Sequence, residues 1–255
     1  MRSTPCTAAL TLAVSALFAG CQPRPTLIPV RPPIDRGASS SADNRHDPAS
    51  SSSRLRKAMS AATLPSSAKL NVPFSPQAPF ANWDAAHEEA CEEMSLIMVV
   101  HALHHSELTA ENAERELQTL LTWEATHGYS VDVTIEQLSA ITRDEYGIRS
   151  STVSGVSEES IERAIAAGHP VILPIAGREL GNPYFSGEGP WYHMLVVTGY
   201  RHGFFGQTIF ITNDPGTKRG ENYEYGASTL INAVHDWTGV KEEIDRGERR
   251  MMIIE

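Results

Sequence analysis

Residues 94–103, MSLIMVVHAL, constrain the fold of this chain more than any other stretch. At 3.6 residues per turn, Met94, Leu96, Ile97, Met98, Val99, Val100, Ala102 and Leu103 place apolar side chains almost all round a helix. A helix without a polar face has to be buried on all sides, so the domain must be built around it. Glu88, Glu89, Glu92 and Glu93 flank its expected start, where acidic side chains complement the positive end of the helix dipole. Between them sits Cys91.

Whether that cysteine has a partner depends on the other two, Cys6 and Cys21. Both lie in MRSTPCTAALTLAVSALFAGC, where Arg2 supplies a positive start and Ala8 to Ala19 an apolar run too short to span a bilayer. Residues 1–20 read as an export signal. The end, Phe18-Ala19-Gly20-Cys21, resembles the lipobox at which bacterial lipoprotein precursors are acylated and cleaved. The resemblance implies that Cys21 becomes the lipidated first residue, anchoring the chain in the outer or cytoplasmic membrane of the cell envelope, outside the cytoplasm.

Residues 21–70 are rich in Pro, Ser and Arg, with too few large apolar side chains to offset the entropy of ordering, and read as a disordered linker. Residues 71–255 suffice for one domain with its own core, expected to be a monomer. They hold 12 Lys and Arg against 28 Asp and Glu, a formal net charge of −16. That excess excludes nucleic acid as a partner, because phosphate binding needs a basic face.

Cys6 leaves with the signal and the lipid consumes Cys21, so Cys91 alone remains as a thiol. Exported proteins use cysteine mainly in disulfides, which sets this one apart. In the first turn of a helix, unpaired N–H groups and the dipole stabilise thiolate over thiol. The glutamates oppose this, so a cationic partner is needed. A zinc site is not expected: His87-Glu88-Glu89-Ala90-Cys91 lacks the second histidine of the His-Glu-x-x-His pattern, and no acid completes a site with His101 and His105. No metal or other cofactor is implied.

The partner is found in GPWYHMLVVTGY, a Gly/Pro turn followed by an apolar run, which puts His193 at the start of a strand. A second strand signal, Thr208 to Thr212, ends in the turn Asn213-Asp214-Pro215-Gly216. Joined by a short polar loop, the two strands form a hairpin that brings His193 beside Asp214, or beside Asn213. An acid beside a histidine fixes its tautomer and raises its basicity.

Ser75-Pro76-Gln77-Ala78-Pro79, Asn82-Trp83-Asp84, Glu89-Ala90-Cys91-Glu92-Glu93, His193 to Tyr200 and Asn213 to Gly216 together resemble the bacteriocin-processing-peptidase-like family of papain-fold cysteine peptidases, in its stand-alone exported branch. The resemblance implies that Cys91 is the nucleophile, His193 the general base, Asp214 its orienting acid and Gln77 an oxyanion donor, with Trp83 and Trp191 lining the substrate site. It further implies a thiol ionised near neutral pH by His193, and a peptide or protein as substrate. Ala90-Cys91-Glu92 and a longer gap from the glutamine depart from the transporter-linked members.

The expected fold is α+β and papain-like, a helical first half packed on an antiparallel sheet. Helices are expected at Cys91 to His105, Thr109 to His127, Thr134 to Asp144 and Glu158 to Ala167, and strands at Val171 to Ile175 and Met251 to Ile254. Two other functions use the same parts: a cell-wall amidase or acyltransferase, and a non-catalytic peptide-binding lipoprotein.

Overall fold

A computed structural model describes residues 63–255; the export signal, Cys21 and most of the linker lie outside the described residues. The buried helix is α2 (Cys91–Leu103), in which every residue from Cys91 to His101 is buried. Before it comes the single turn α1 (Ala85–Glu88), capped by Asp84, whose carboxylate accepts the Ala86 and His87 N–H groups. Two capped amphipathic helices follow, α3 (Ala110–His127) and α4 (Ile135–Tyr146). Thr109 and Thr134 cap their starts, and Gly128 and Gly147, in left-handed conformation, close their ends. Helix α2 ends at Leu103, two residues short of expectation, because His105 turns to a φ of 51° and leads the chain out of the core.

The second half contains β2 (Ser150–Ser154), α5 (Glu158–Ala166), β3 (Val171–Ala176), β4 (Tyr192–His202), β5 (Thr208–Asn213), β6 (Tyr223–Gly226), α6 (Ala227–Ala233) and β7 (Arg250–Ile254). With β1 (Ser67–Lys69) they form a seven-stranded antiparallel sheet, ordered β2-β7-β3-β4-β5-β6, with β1 also on β4. The fold is α+β, as the sequence implies.

Alternation along the central strands divides the core in two. Ile172, Met194, Val196, Met252 and Ile254 face α2, α3 and α4. Leu173, Ile175, Leu195, Val197 and Met251 face α5 and α6. The sheet is therefore covered by helices on both faces, not only by the N-terminal helices.

Two local features differ from the sequence reading. Strand β1 falls inside the stretch whose composition marks a linker, yet it pairs Ser67 with Arg201 and Lys69 with Gly199. Strand β3 covers β4 only as far as Val197, and β1 supplies backbone partners beyond it. Such pairing needs no apolar side chains, so composition does not reveal it. Glycine at 199 permits the approach, since a Cβ there would lie 2.8 Å from the Ala68 carbonyl oxygen. The β4–β5 loop is not polar: Phe204 and Phe205 stand exposed at its tip.

Candidate active site

Strands β4 and β5 pair Val196 with Asn213. This register carries His193, near the start of β4, to Asp214, just past the end of β5. His193 Nε2 donates to Asp214 Oδ1 at 2.8 Å, and both side chains are buried. Gly216 N–H also donates to Oδ1, while Tyr225 O–H and Asn182 Nδ2 donate to Oδ2 at 2.7 and 3.3 Å. Burial would raise this acid's pKa; the imidazole and the Tyr225 and Gly216 donors outweigh it and hold Asp214 below the usual carboxylate range. Glycine is required beside the pair, because a Cβ at Gly216 would come within 2.9 Å of His193 Cε1.

Asn213 has another task. Consecutive residues of an extended strand point to opposite sides. Its Nδ2 donates to the Val72 and Pro73 carbonyls, and its Oδ1 accepts the Asn222 N–H. Asp214, not Asn213, is therefore the group on His193.

The sulfur of Cys91 lies at the start of α2 against β4, receiving the Met194 N–H at 3.3 Å. Nε2 of His193 is committed to Asp214, which leaves Nδ1 as its uncommitted ring nitrogen. The thiol donates to Glu92 Oε2 at 3.0 Å. Burial, then the Glu92 carboxyl, push the thiol well above its ordinary range, against the Met194 N–H. This differs from the expected ionised thiol: the helix start is buried rather than open. Glu92 and Glu93, expected to complement the dipole from solvent, are themselves fully buried. Burial raises Glu92 to about 8. Glu93 is also pushed up by burial and by the neighbouring Glu92 and Glu124, and its side-chain partner is the Glu124 carboxyl rather than a cation.

Cys91, His193, Gln77, Trp83 and Trp191 all line one cleft of about 800 Å³. Trp83 is half exposed, and one face of Trp191 is covered by the Arg178 guanidinium, 3.5 Å from the ring centre. Lys241 and Glu89 pair across the rim at 3.0 Å.

Gln77 is in the cleft but is not poised as the sequence implies. Its amide nitrogen donates to the His87 and Glu88 carbonyls at 2.8 and 2.9 Å, and its backbone N–H donates to the Pro215 carbonyl. Both amide protons are used, because the longer gap before Cys91 lets α1 bring its last carbonyls to them. Gln77 therefore ties the Asp214 turn to the segment leading into Cys91; donation to an oxyanion requires one of these bonds to open.

Tyr225, Asn182 and the Met194 N–H were given no role from sequence, and Glu92 was read only as a helix-start acid. Asn182 and Tyr225 are 43 residues apart and joined at 2.8 Å, a contact with no local sequence signal. The side-chain position of Glu92, adjacent to Cys91, could have been found by asking where an acidic residue goes when the helix around it is buried. Among the described residues no group of three or more His, Cys, Asp or Glu is arranged to hold a metal ion, and no helix is long and apolar enough to cross a membrane.

Comparison with solved structures finds a protein described as a C39-like peptidase from Bacillus anthracis, 14% identical, with a TM-score of 0.47, covering 74% of this chain and 97% of that one. It also finds UfSP from C. elegans, 12% identical, with a TM-score of 0.43, covering 74% of this chain but only 33% of that one. No curated protein matches the sequence. The family model described as "Peptidase_C39 like family" matches residues 69–244, from β1 through the cleft-forming segments to the last 3-10 turn. The chain belongs to this family of papain-like cysteine peptidases.

Proposed function

We propose that the chain is an active cysteine peptidase that hydrolyses peptide or isopeptide bonds, with Cys91 as nucleophile, His193 as base and Asp214 as orienting acid. The observation that carries this reading is the buried 2.8 Å bond from His193 Nε2 to Asp214, in a cleft that also presents Cys91. It supports a histidine held in one tautomer with Nδ1 available to the thiol.

His193 Nδ1 takes the proton of Cys91, and the thiolate attacks the substrate carbonyl. An S–C bond forms while the carbonyl π pair moves onto oxygen, beside the Cys91 N–H at the helix start. As the tetrahedral adduct collapses, the C–N bond breaks and the leaving nitrogen takes the proton from His193. Water, deprotonated by His193, then attacks the thioester. The C–S bond breaks, releasing the acid and restoring the thiol. Trp83 and Trp191 contribute apolar walls for the substrate's side chains.

The lipobox-like Cys21 supports a protein tethered at the bacterial cell envelope. Full-length protein incubated with a diverse peptide mixture should yield products identifiable by mass spectrometry, and Cys91→Ala should abolish them. Absence of products from the wild type would favour the peptide-binding reading; transfer to an added amine in place of hydrolysis would favour an acyltransferase. Labelled fatty acid should enter the wild type and not Cys21→Ala; no uptake by the wild type removes the tether.

A further inference from the structure

The site contains a carboxyl group that the Cys-His-Asp scheme does not use. Glu92 follows the nucleophile, is fully buried beneath the cleft, and places Oε2 3.0 Å from the sulfur. Its other oxygen, Oε1, accepts the Val133 N–H at 3.3 Å. A protonated Glu92 therefore has Oε1 occupied as an acceptor, so its proton sits on Oε2, facing Sγ. We propose that Glu92 is a catalytic residue that shares a hydrogen bond with Cys91, accepting from the thiol when ionised and, when protonated, donating to the thiolate that attacks the substrate. The inference rests on reading Cys91 as the nucleophile.

The surroundings favour the protonated form. Facing Glu92 are Cys91 and Glu93 from α2, Asp132 from the loop before α4, Tyr192 from β4 and Lys241 from the last 3-10 turn. Tyr192 turns its O–H to the Val133 carbonyl at 2.9 Å, and Lys241 is paired with Glu89. Neither offers Glu92 a cation at close range, and Asp132 opposes a negative charge on it. With burial raising it to about 8, Glu92 keeps its proton at neutral pH.

In the proposed step the thiol proton goes to His193 Nδ1, while Glu92 retains its own and turns it toward sulfur. The thiolate then receives two hydrogen bonds, from Glu92 O–H and Met194 N–H, in a place too dry to hold it otherwise. Only one negative charge forms in the pair. A second, carboxylate beside thiolate, is opposed by the 3.0 Å separation, so the two groups titrate together in two separated steps.

Iodoacetamide alkylation of Cys91 in the full chain tests this without any substrate. The Cys91 peptide is followed by mass spectrometry from pH 5 to 10, which separates it from Cys6 and Cys21. The wild-type rate should rise in two steps. Glu92→Gln, which keeps a donor to sulfur but cannot ionise, should rise in one. Glu92→Leu, which removes the donor, should also show one step, with a rate at pH 7 at least ~10-fold below that of Glu92→Gln, one unit of thiol pKa. A single-step wild-type curve, or equal rates for the Gln and Leu variants at pH 7, overturns the proposal. If Glu92→Leu does not fold, the wild-type and Glu92→Gln curves decide it. His193→Ala, measured in parallel, tests the nucleophile reading separately: loss of His193 should slow alkylation at neutral pH whether or not Glu92 shares the proton.

Discussion

Asp214 and Glu93 are both buried carboxyl groups close to the same cleft, and the protein treats them in opposite ways. Asp214 receives His193 Nε2, the Gly216 N–H, Tyr225 O–H and Asn182 Nδ2, and is held below its ordinary pKa. Glu93 has the Glu124 carboxyl as its side-chain partner where Asp214 has a set of donors, faces Glu92 as well and is pushed well up. Burial does not decide charge; the number of donors aimed at the group does. The sheet side of the site thus holds an acid below its ordinary pKa, while the helix side, with Glu92 and Glu93, holds acids raised above theirs.

The largest break in this contrast is at Asp214 itself. Asp214→Asn should reduce kcat by up to about 10⁴-fold, the loss set by how far the amide oxygen substitutes for the carboxylate on His193 Nε2. Asn213→Ala should leave kcat nearly unchanged and instead lower stability by about 1–3 kcal/mol, since the Val72 and Pro73 carbonyls lose their donor. The reverse ranking, measured on any cleaved peptide and by urea unfolding, would return the orienting role to Asn213.

Removing one donor is gentler. Tyr225→Phe should cost about 1.5–3 kcal/mol of stability at neutral pH, as expected for a hydrogen bond to a charged group. The Asp214 pKa should rise, moving the acid limb of the stability profile to higher pH. An unchanged profile would mean that the phenol does not help keep Asp214 ionised.

The helix side should respond to pH with the opposite sign. Acids whose folded pKa is raised bind more protons folded than unfolded, so their contribution is present below the ordinary carboxylate pKa and is lost as pH rises toward the folded one. For Glu92, Glu93 and Glu124 that window opens near 4.5 and extends through about 8 for Glu92. Urea midpoints of the wild type should therefore fall from pH 5 to pH 8. Glu93→Gln should flatten that fall, because a neutral amide has no proton to lose. If the slope is unaltered, Glu93 is ionised in the folded protein and the contrast with Asp214 fails. The smallest effect is expected at His87, where Asp84 and Glu114 outweigh burial and raise the imidazole. Its contribution is present below the ordinary histidine pKa and lost as pH rises through the folded one, so His87→Gln should lower the midpoint at pH 5.5 and do less at pH 8.

Much of the site was legible because it rests on local patterns. The apolar run after Cys91 forces a buried helix wherever the chain goes, and the Gly/Pro turn before His193 marks a strand start. The hairpin spacing brings His193 to the Asn213-Asp214 turn. Which of those two meets His193 was not legible, because both are short polar residues in one turn. Strand alternation in the assembled sheet turns Asn213 toward Val72 and Pro73 and leaves Asp214 for the imidazole.

By itself the sequence determined that Cys91 begins a buried helix and that His193 begins a strand. Periodicity and turn chemistry act over a few residues and survive without knowledge of the rest of the chain. Only the tertiary structure decided the charge on each group. Glu92 and Glu93 look like ordinary helix-start acids until α3, α4 and β4 close over them. Gln77 looks like an oxyanion donor until α1 brings two carbonyls to its amide. Asp214 owes its ionised state in part to Tyr225 and Asn182, which no local pattern places beside it. Protonation follows from which donors and acceptors surround a buried atom, and folding brings those together from segments far apart in the sequence.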